Sequence, residues 1–308
     1  MVNRRTHLWS VINRLRLRLT KGGCGEEPED AGRVVLVHNH IFKNAGSTID
    51  WALLQNFGSC FVDHRDDDDM RKGAPYLEEY LATHKHIRAL STHHLALPLP
   101  EVPDARLIMI SMLRHPIERV TSVYSFERKQ VHATTPGAIH ARKLDLTNYV
   151  LWRMKPDVGA TIRNFQVRKF LSSLKARQEV FSSDDLEQAR ATAASAAGLL
   201  GIVERFDECM VLFEENLRQV FPKISLSYVR QNVGQQNANS REDRIEKLRQ
   251  EIGEDAFAVL EEKNRHDLQF YEWAEQLVDD RIGEIKDFNE KLRRFRSRCA
   301  ALCGGASG

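Results

Sequence analysis

The 308-residue chain contains no run of the roughly 18–20 apolar residues that a membrane-spanning helix needs. It also lacks the apolar core and small-residue cleavage site of a secretory signal. Cysteine is scarce and odd in number, five in all, with Cys24, Cys60 and Cys209 widely scattered. Cys299 and Cys303 share a short spacing, but no second pair completes a zinc site. These absences read as a reducing, cytoplasmic compartment. Charge of one sign is missing too: 45 Lys and Arg against 43 Asp and Glu leave +2. That balance excludes a general nucleic-acid binder, so any anion site must be local. There is no HExxH pattern and no GxxxxGK[ST] loop. His84, His86, His93 and His94 with the acidic run Asp66–Asp69 therefore read as a solvated loop, with no metal site.

At 42% hydrophobic and 29% charged, the chain belongs to the globular class and is long enough for a sizeable core. Three regions are expected. Residues 1–32 form a basic arm and linker: Arg4, Arg5, Arg14, Arg16, Arg18 and Lys21 interleave with apolar residues at near-helical spacing. That pattern suits a weak peripheral membrane contact. Residues 33–280 form the main domain, and 281–308 a helical C-terminal extension and tail.

RVVLVHNHI (33–41) is a β-branched run of the kind that forms a buried parallel strand, and STIDWALLQNF after it reads as a helix starting near Ser47 or Thr48. ARLIMISMLR (105–114) repeats the pattern, followed by a helix in which Pro116 occupies the first turn. LLGIVERF (199–206) and ISLSYV (224–229) read as third and fourth strands, with helix DECMVLFEENLRQVF between them. From Glu242 to Leu302 the chain reads as helical, with Gly253 and Gly283 as breaks; Phe288, Leu292 and Phe295 form a core or oligomer seam. Alternating strands and helices predict an α/β fold with a mostly parallel central sheet flanked by helices.

Two loops carry the chemistry. In HIFKNAGST (40–48), Lys43, Asn44, Ala45, Gly46, Ser47 and Thr48 stand where a strand hands over to a helix. Glycine permits close backbone approach, and the helix start offers free N–H groups to phosphate or sulfate. Here the lysine precedes the glycine, the reverse of a Walker A loop. In SMLRHPIERVTS (111–122), Arg114 ends a strand and Ser122 lies on the next helix; a guanidinium and a hydroxyl suit a phosphate dianion. Both loops fall at the carboxyl ends of strands, where parallel α/β sheets bind ligands.

HNHIFKNAGSTI resembles the "HIPKTAGTT" loop of carbohydrate sulfotransferases that use 3′-phosphoadenosine-5′-phosphosulfate (PAPS), and MLRHPIERVTSVYSF resembles their "LRDPVERFLSAYYF" loop. STHH (91–94) is similar to the family's "GH" segment, NFQVRKFLS (164–172) to "NxQTRxL", LLGIVERFDECMVLF (199–213) to "VGLTERFDESL" and DLQFYEWA (267–274) to "DLELYEYA". Order and spacing hold over about residues 34–275, nearest to the branch of heparan sulfate 2-O-sulfotransferases and related bacterial proteins. The resemblance implies a P-loop-like fold and PAPS as co-substrate, with no metal required. It implies that Lys43 to Thr48 cradle the 5′-phosphosulfate, that Arg114 and Ser122 hold the 3′-phosphate, and that a histidine activates a carbohydrate hydroxyl. That histidine is His93, which aligns best, or His94. It gives Asn164, Gln166, Arg168 and Glu204 a place near the site without a role.

Three departures from the family pattern carry expectations. Phe42 replaces proline and should loosen the loop's entry; His115 replaces an aspartate that would cap the helix; Thr92 replaces glycine. A nucleotide kinase and a catalytically silent glycan- or nucleotide-binding module are the alternative readings.

Overall fold

The computed structural model describes residues 32–195, 198–229 and 240–304. The basic arm and Cys24 lie outside them. Arg33–Asn39 forms β1, and its residues Val34–Val37 are buried on both faces, as expected of a central parallel strand. Gly46–Phe57 is α1, Phe61–Asp63 is β2, and Asp67–Met70 and Ala74–Thr83 are α2 and α3. Ala89–Thr92 is β3 and Ala105–Leu113 is β4. Pro116–Arg128, Pro136–Lys143, Leu146–Arg153, Phe165–Arg168 and Ser183–Ala194 are α4 to α8. Gly198–Ile202 is β5, Phe206–Leu217 is α9, and Arg241–Ile252, Glu254–Lys263, Arg265–Gly283 and Phe288–Gly304 are α10 to α13.

The five strands run in the order β2-β3-β1-β4-β5, and every neighbouring pair is parallel. The fold is therefore an α/β, P-loop-like one, with the strand that feeds the lysine loop at its centre. Asn39, the last residue of β1, is level with Thr92 of β3 and Ser111 of β4. Whatever follows those residues emerges side by side at the carboxyl edge. No helix among the described residues is long and apolar enough to cross a membrane.

Local signals account for many helix ends. Thr135 and Asp145 cap α5 and α6 through their side chains, and Ser182 with Asp185 and Ser240 with Asp243 form capping boxes. Gly253, at φ 82°, separates α10 from α11, and Gly283 ends α12, as the sequence predicts. The last helix, α13, buries Leu292 and Phe295 in the main core.

Several expectations are corrected. α1 starts at Gly46, ahead of Ser47 and Thr48. The expected third strand stops at Ile202, because Val203–Arg205 already turns into the following helix. ISLSYV forms no strand. Side chains take its amides instead: Ser225 N–H donates to Asn56 (2.9 Å), Leu226 N–H to Glu214 (2.7 Å) and Tyr228 N–H to Cys299 Sγ (3.4 Å). Cys209, Cys299 and Cys303 are free thiols but Cys60 is disulfide-bonded, so the set is not all reduced.

Candidate active site

Beyond β1 the chain turns tightly: Ile41 N–H donates to Asn39 C=O (2.9 Å) and Asn44 N–H to Ile41 C=O (3.2 Å). Lys43 has φ 66° and Ala45 φ 60°, left-handed values that a side chain disfavours. Four non-glycine residues among those described have positive φ, and Lys43, Ala45 and Asn164 of this site are three of them. Such strain collects where the surrounding structure imposes it for function. Ala45 occupies the cap position of α1 and contributes no side-chain bond, so the first-turn amides have no capping side chain. Ser47 is exposed and Thr48 buried.

The Lys43 ammonium lies 4.6 Å above the Phe126 ring. Burial lowers its pKa, and so do the neighbouring charges of Arg114, Lys129 and Arg119, all of them positive. Arg114 follows the last residue of β4, and its Nε is buried without a partner among the described residues. Arg119 is fully buried: Nε donates to Phe42 C=O (3.0 Å), Nη1 donates to Thr161 C=O (2.8 Å), and Nη2 has no acceptor among the described residues. The sequence reading missed Arg119, since one more arginine on a helix gives no signal of its burial. Its bond to Phe42, with the edge-on packing of Phe42 on Phe126 (5.2 Å), corrects the expectation of a loose entry. Ser122 is half-buried on α4.

Gln166 ties the two loops together. Its Oε1 accepts from Asn44 Nδ2 (2.6 Å) and from Arg114 N–H (2.9 Å), and its Nε2 donates to Arg114 C=O (2.8 Å). Asn44 Nδ2 also reaches Met112 C=O (2.8 Å). Gln166 is held in turn, because Asp267 accepts from the amides of Gln166 (3.0 Å) and Val167 (2.8 Å). Asn164 Oδ1 accepts from the amides of His266 and Asp267 (3.1 and 3.0 Å), so the two segments grip each other. Arg168 points elsewhere, donating to Ala176 and Gln178 carbonyls (2.8 and 2.6 Å). Glu204 accepts from His115 N–H (3.0 Å) and from Tyr271 Oη (2.9 Å). It thereby serves the start of α4, where His115 makes no side-chain cap bond.

His93 follows β3 directly. Its Nδ1 donates to His40 C=O (2.7 Å), its Nε2 accepts from Arg65, and its ring lies 4.2 Å from that of His40. Burial foremost, then His40 and Arg65, pushes its pKa down to about 2, so the ordinary imidazole value assumed from sequence does not hold in the free protein. Burial foremost, then the charge of Lys169, lowers the His94 pKa as well, while Asp67, 3.3 Å from its Nε2, acts in the opposite direction. Behind them Asp50 accepts from His38 Nδ1 (2.7 Å), His40 Nδ1 (2.9 Å) and Arg65 (3.1 Å). Burial alone would raise the Asp50 pKa, but His38 and His40 hold it far below the usual carboxylate range. Gly46 completes this cluster: a Cβ there would overlap the His40 ring, with Cε1 only 2.7 Å away. The glycine thus makes room for a side chain, not only for a ligand.

A cavity of about 760 Å³ opens beside these loops. His93, His94, Phe42, Phe126 and Lys169 are among its walls; Lys43, Arg114 and Ser122 are not. Lys169, a second residue that sequence reasoning passed over, donates from Nζ to His93 C=O (2.8 Å).

No family model matches the chain. It is similar to the crystal structure of a sulfotransferase from Alicyclobacillus acidocaldarius over 75% of its own length and 95% of that chain. With 13% identity and a TM-score of 0.38, that overlap is too slight to speak for an activity. It is 34% identical over 250 residues to an "Uncharacterized protein" of Archaeoglobus fulgidus, covering 78% of this chain and 95% of the other. At that identity and coverage, the chain belongs to the family of this archaeal protein.

Proposed function

We propose that the protein is a PAPS-dependent sulfotransferase that moves a sulfuryl group to a hydroxyl of a carbohydrate acceptor. One observation carries the reading: adjacent strands β3, β1 and β4 bring His93, the Lys43 loop and Arg114 to a single sheet edge. The donor set fits a nucleotide with several anionic groups, because Arg114 Nε and Arg119 Nη2 are buried donors without acceptors among the described residues and Lys43 sits among cations. When bound, PAPS supplies a sulfuryl group that is already activated, and the scheme calls for no metal ion. The amides of Ala45, Gly46 and Ser47 and the ammonium of Lys43 then meet the charge that spreads over non-bridging oxygens, while the Thr48 amide stays on the Ala45 carbonyl (3.0 Å). Arg114 and Ser122 hold the 3′-phosphate.

The proton of the acceptor hydroxyl goes to a histidine at the cavity wall. His93 is suited by tautomer, since Nδ1–H on the His40 carbonyl leaves Nε2 with its lone pair. Arg65 occupies that lone pair in the free protein and has to give way to the hydroxyl. His94, facing Asp67, is the other candidate.

Calorimetry with adenosine 3′,5′-bisphosphate and AMP tests the nucleotide. Each charge-assisted hydrogen bond contributes roughly 1.5–3 kcal/mol, so two or more favour the bisphosphate by at least about a hundredfold. Arg114→Ala should erase most of that preference and leave AMP binding unchanged. Equal affinities in the wild type would overturn the reading and favour a nucleotide kinase.

A further inference from the structure

His93 is closed to a substrate in the free protein, and the residue that closes it is Arg65. β2 pairs on β3 with Asp63 level with Ser91, so the turn beyond β2 runs beside the one that carries His93. A carbonyl only accepts a hydrogen bond and a guanidinium only donates one. With Nδ1 on the His40 carbonyl (2.7 Å) and Nε2 on Arg65 Nη1, His93 is held as the neutral Nδ1–H tautomer, and both its nitrogens are spent. Two carboxylates aim the guanidinium: Nε pairs with Asp63, and Nη2 donates to Asp50 (3.1 Å).

We propose that Arg65 is a gate on His93, covering its lone pair until an acceptor hydroxyl takes the place and keeping the histidine from activating water meanwhile. The purpose of the gate rests on the sulfuryl-transfer reading; the cover over His93 does not. The surroundings let the arginine move off. Its side chain is 39% exposed against 4% for Asp50, so its way out leads to solvent. Asp50 keeps two donors when it goes, His38 Nδ1 (2.7 Å) and His40 Nδ1 (2.9 Å). The titratable groups that act on the His93 ring are His40 after β1, Arg65 after β2 and Lys169 after α7. Arg65 is one of the two cations among them, so its departure raises the pKa of His93 and makes it a better base. An uncovered base beside bound PAPS would waste the activated group. A water would give its proton to Nε2 as its oxygen bonds to sulfur, the sulfur–oxygen bond to the nucleotide would break, and adenosine 3′,5′-bisphosphate and sulfate would leave. Closed sites commonly guard against such hydrolysis.

Diethyl pyrocarbonate, which acylates uncovered imidazole nitrogens, reads the gate without nucleotide or acceptor. Arg65→Met removes the donor. The cover is one charge-assisted hydrogen bond, so His93 should react about tenfold faster or more in the variant. Exposed His86 should react equally in both proteins, and buried His38 in neither. Arg65→Lys keeps a cation for Asp50 and Asp63 but has no fork to reach His93 as well, and should uncover it too. His93 equally reactive in the wild type and both variants overturns the gate. Reaction of His38 along with His93 in both variants overturns it as well, making Arg65 a pin for the cluster. Labelled PAPS without acceptor then reads the purpose: sulfate release should rise about tenfold or more in the variants, in step with the uncovering. Release unchanged with His93 uncovered, in proteins that sulfate added glycans, refutes the guarding role. PAPS left intact by every protein, with or without glycans, defeats the transfer reading while the cover over His93 stands.

Discussion

Gly46→Ala is a small change with a large expected effect. The new methyl would fall on the His40 ring, 2.7 Å from Cε1 and closer still to Cδ2 and Nε2. That ring has no easy escape. Its Nδ1 is bound to Asp50 at 2.9 Å, and its faces meet His93 at 4.2 Å and His38 at 5.1 Å between centroids. Overpacking of a closed site costs about 1–3 kcal/mol. Alanine is the better helix former by up to about 1 kcal/mol, which offsets part of that cost. A net loss of about 1–2 kcal/mol is therefore expected, read as a lower urea midpoint at unchanged slope. A double-mutant cycle with His40→Ala isolates the clash. His40→Ala alone leaves Asp50 with one fewer donor and is destabilising. Adding Gly46→Ala to it should then cost nothing further, because the methyl fills the vacated space. If Gly46→Ala unfolds like the wild type, or if the two changes simply add, the packing argument for this glycine is wrong.

His93→Ala should lower turnover by about 10²–10⁴ with nucleotide affinity nearly unchanged, the loss expected for a positioned base. Loss on His94→Ala alone would move the role by one residue, and activity in both variants would exclude a histidine base. Gln166→Ala strips Asn44 and Arg114 of their shared acceptor, and leaving such buried groups unmatched should cost about 3 kcal/mol in urea unfolding. Lys169 gives a pH signature. Its folded pKa of about 8 lies below the 10.5 of the unfolded chain, so the unfolded chain holds more protons between those values. Stability should rise with pH across that window, by at most about 3 kcal/mol, and Lys169→Met should flatten the rise. An unchanged slope in the variant would show that another group titrates there.

The parts of the fold legible in sequence are those whose cause is local. β1 and β4 carry apolar runs, Val34–Val37 and Leu107–Ile110, because they pair side by side inside the sheet, and that composition is visible without knowing the cover. β2 and β3 are three and four residues long, too short for a period to show; β3 exists because β1 offers an edge, and β2 pairs on β3 in turn. ISLSYV has a strand's composition but finds its amides already claimed by Asn56, Glu214 and Cys299, which no local reading can foresee. At the candidate site, the placing of Lys43, Arg114 and His93 at one sheet edge is legible, because strand pattern and motif spacing carry it. Gln166 stood out by resemblance, yet its task became plain only when both loops lay within reach of one amide group. His115 is the clearest case of a distant remedy. The residue makes no side-chain cap, and a carboxylate 89 positions later in the chain takes its amide instead.

The grip between the segments around Asn164 and Asp267 has a consequence for how the molecule is made. A ribosome delivers the chain from its N-terminus, so β1, α1, β4 and α4 are all available long before residue 267 leaves the exit tunnel. Gln166 reaches the two loops only as part of a backbone that Asp267 pins at two amides. The sheet can therefore assemble early, while the anion loops acquire their final spacing only after α12 docks. Nucleotide affinity should accordingly switch on late in synthesis. A nascent chain stalled short of Asp267 should carry the sheet but not the grip.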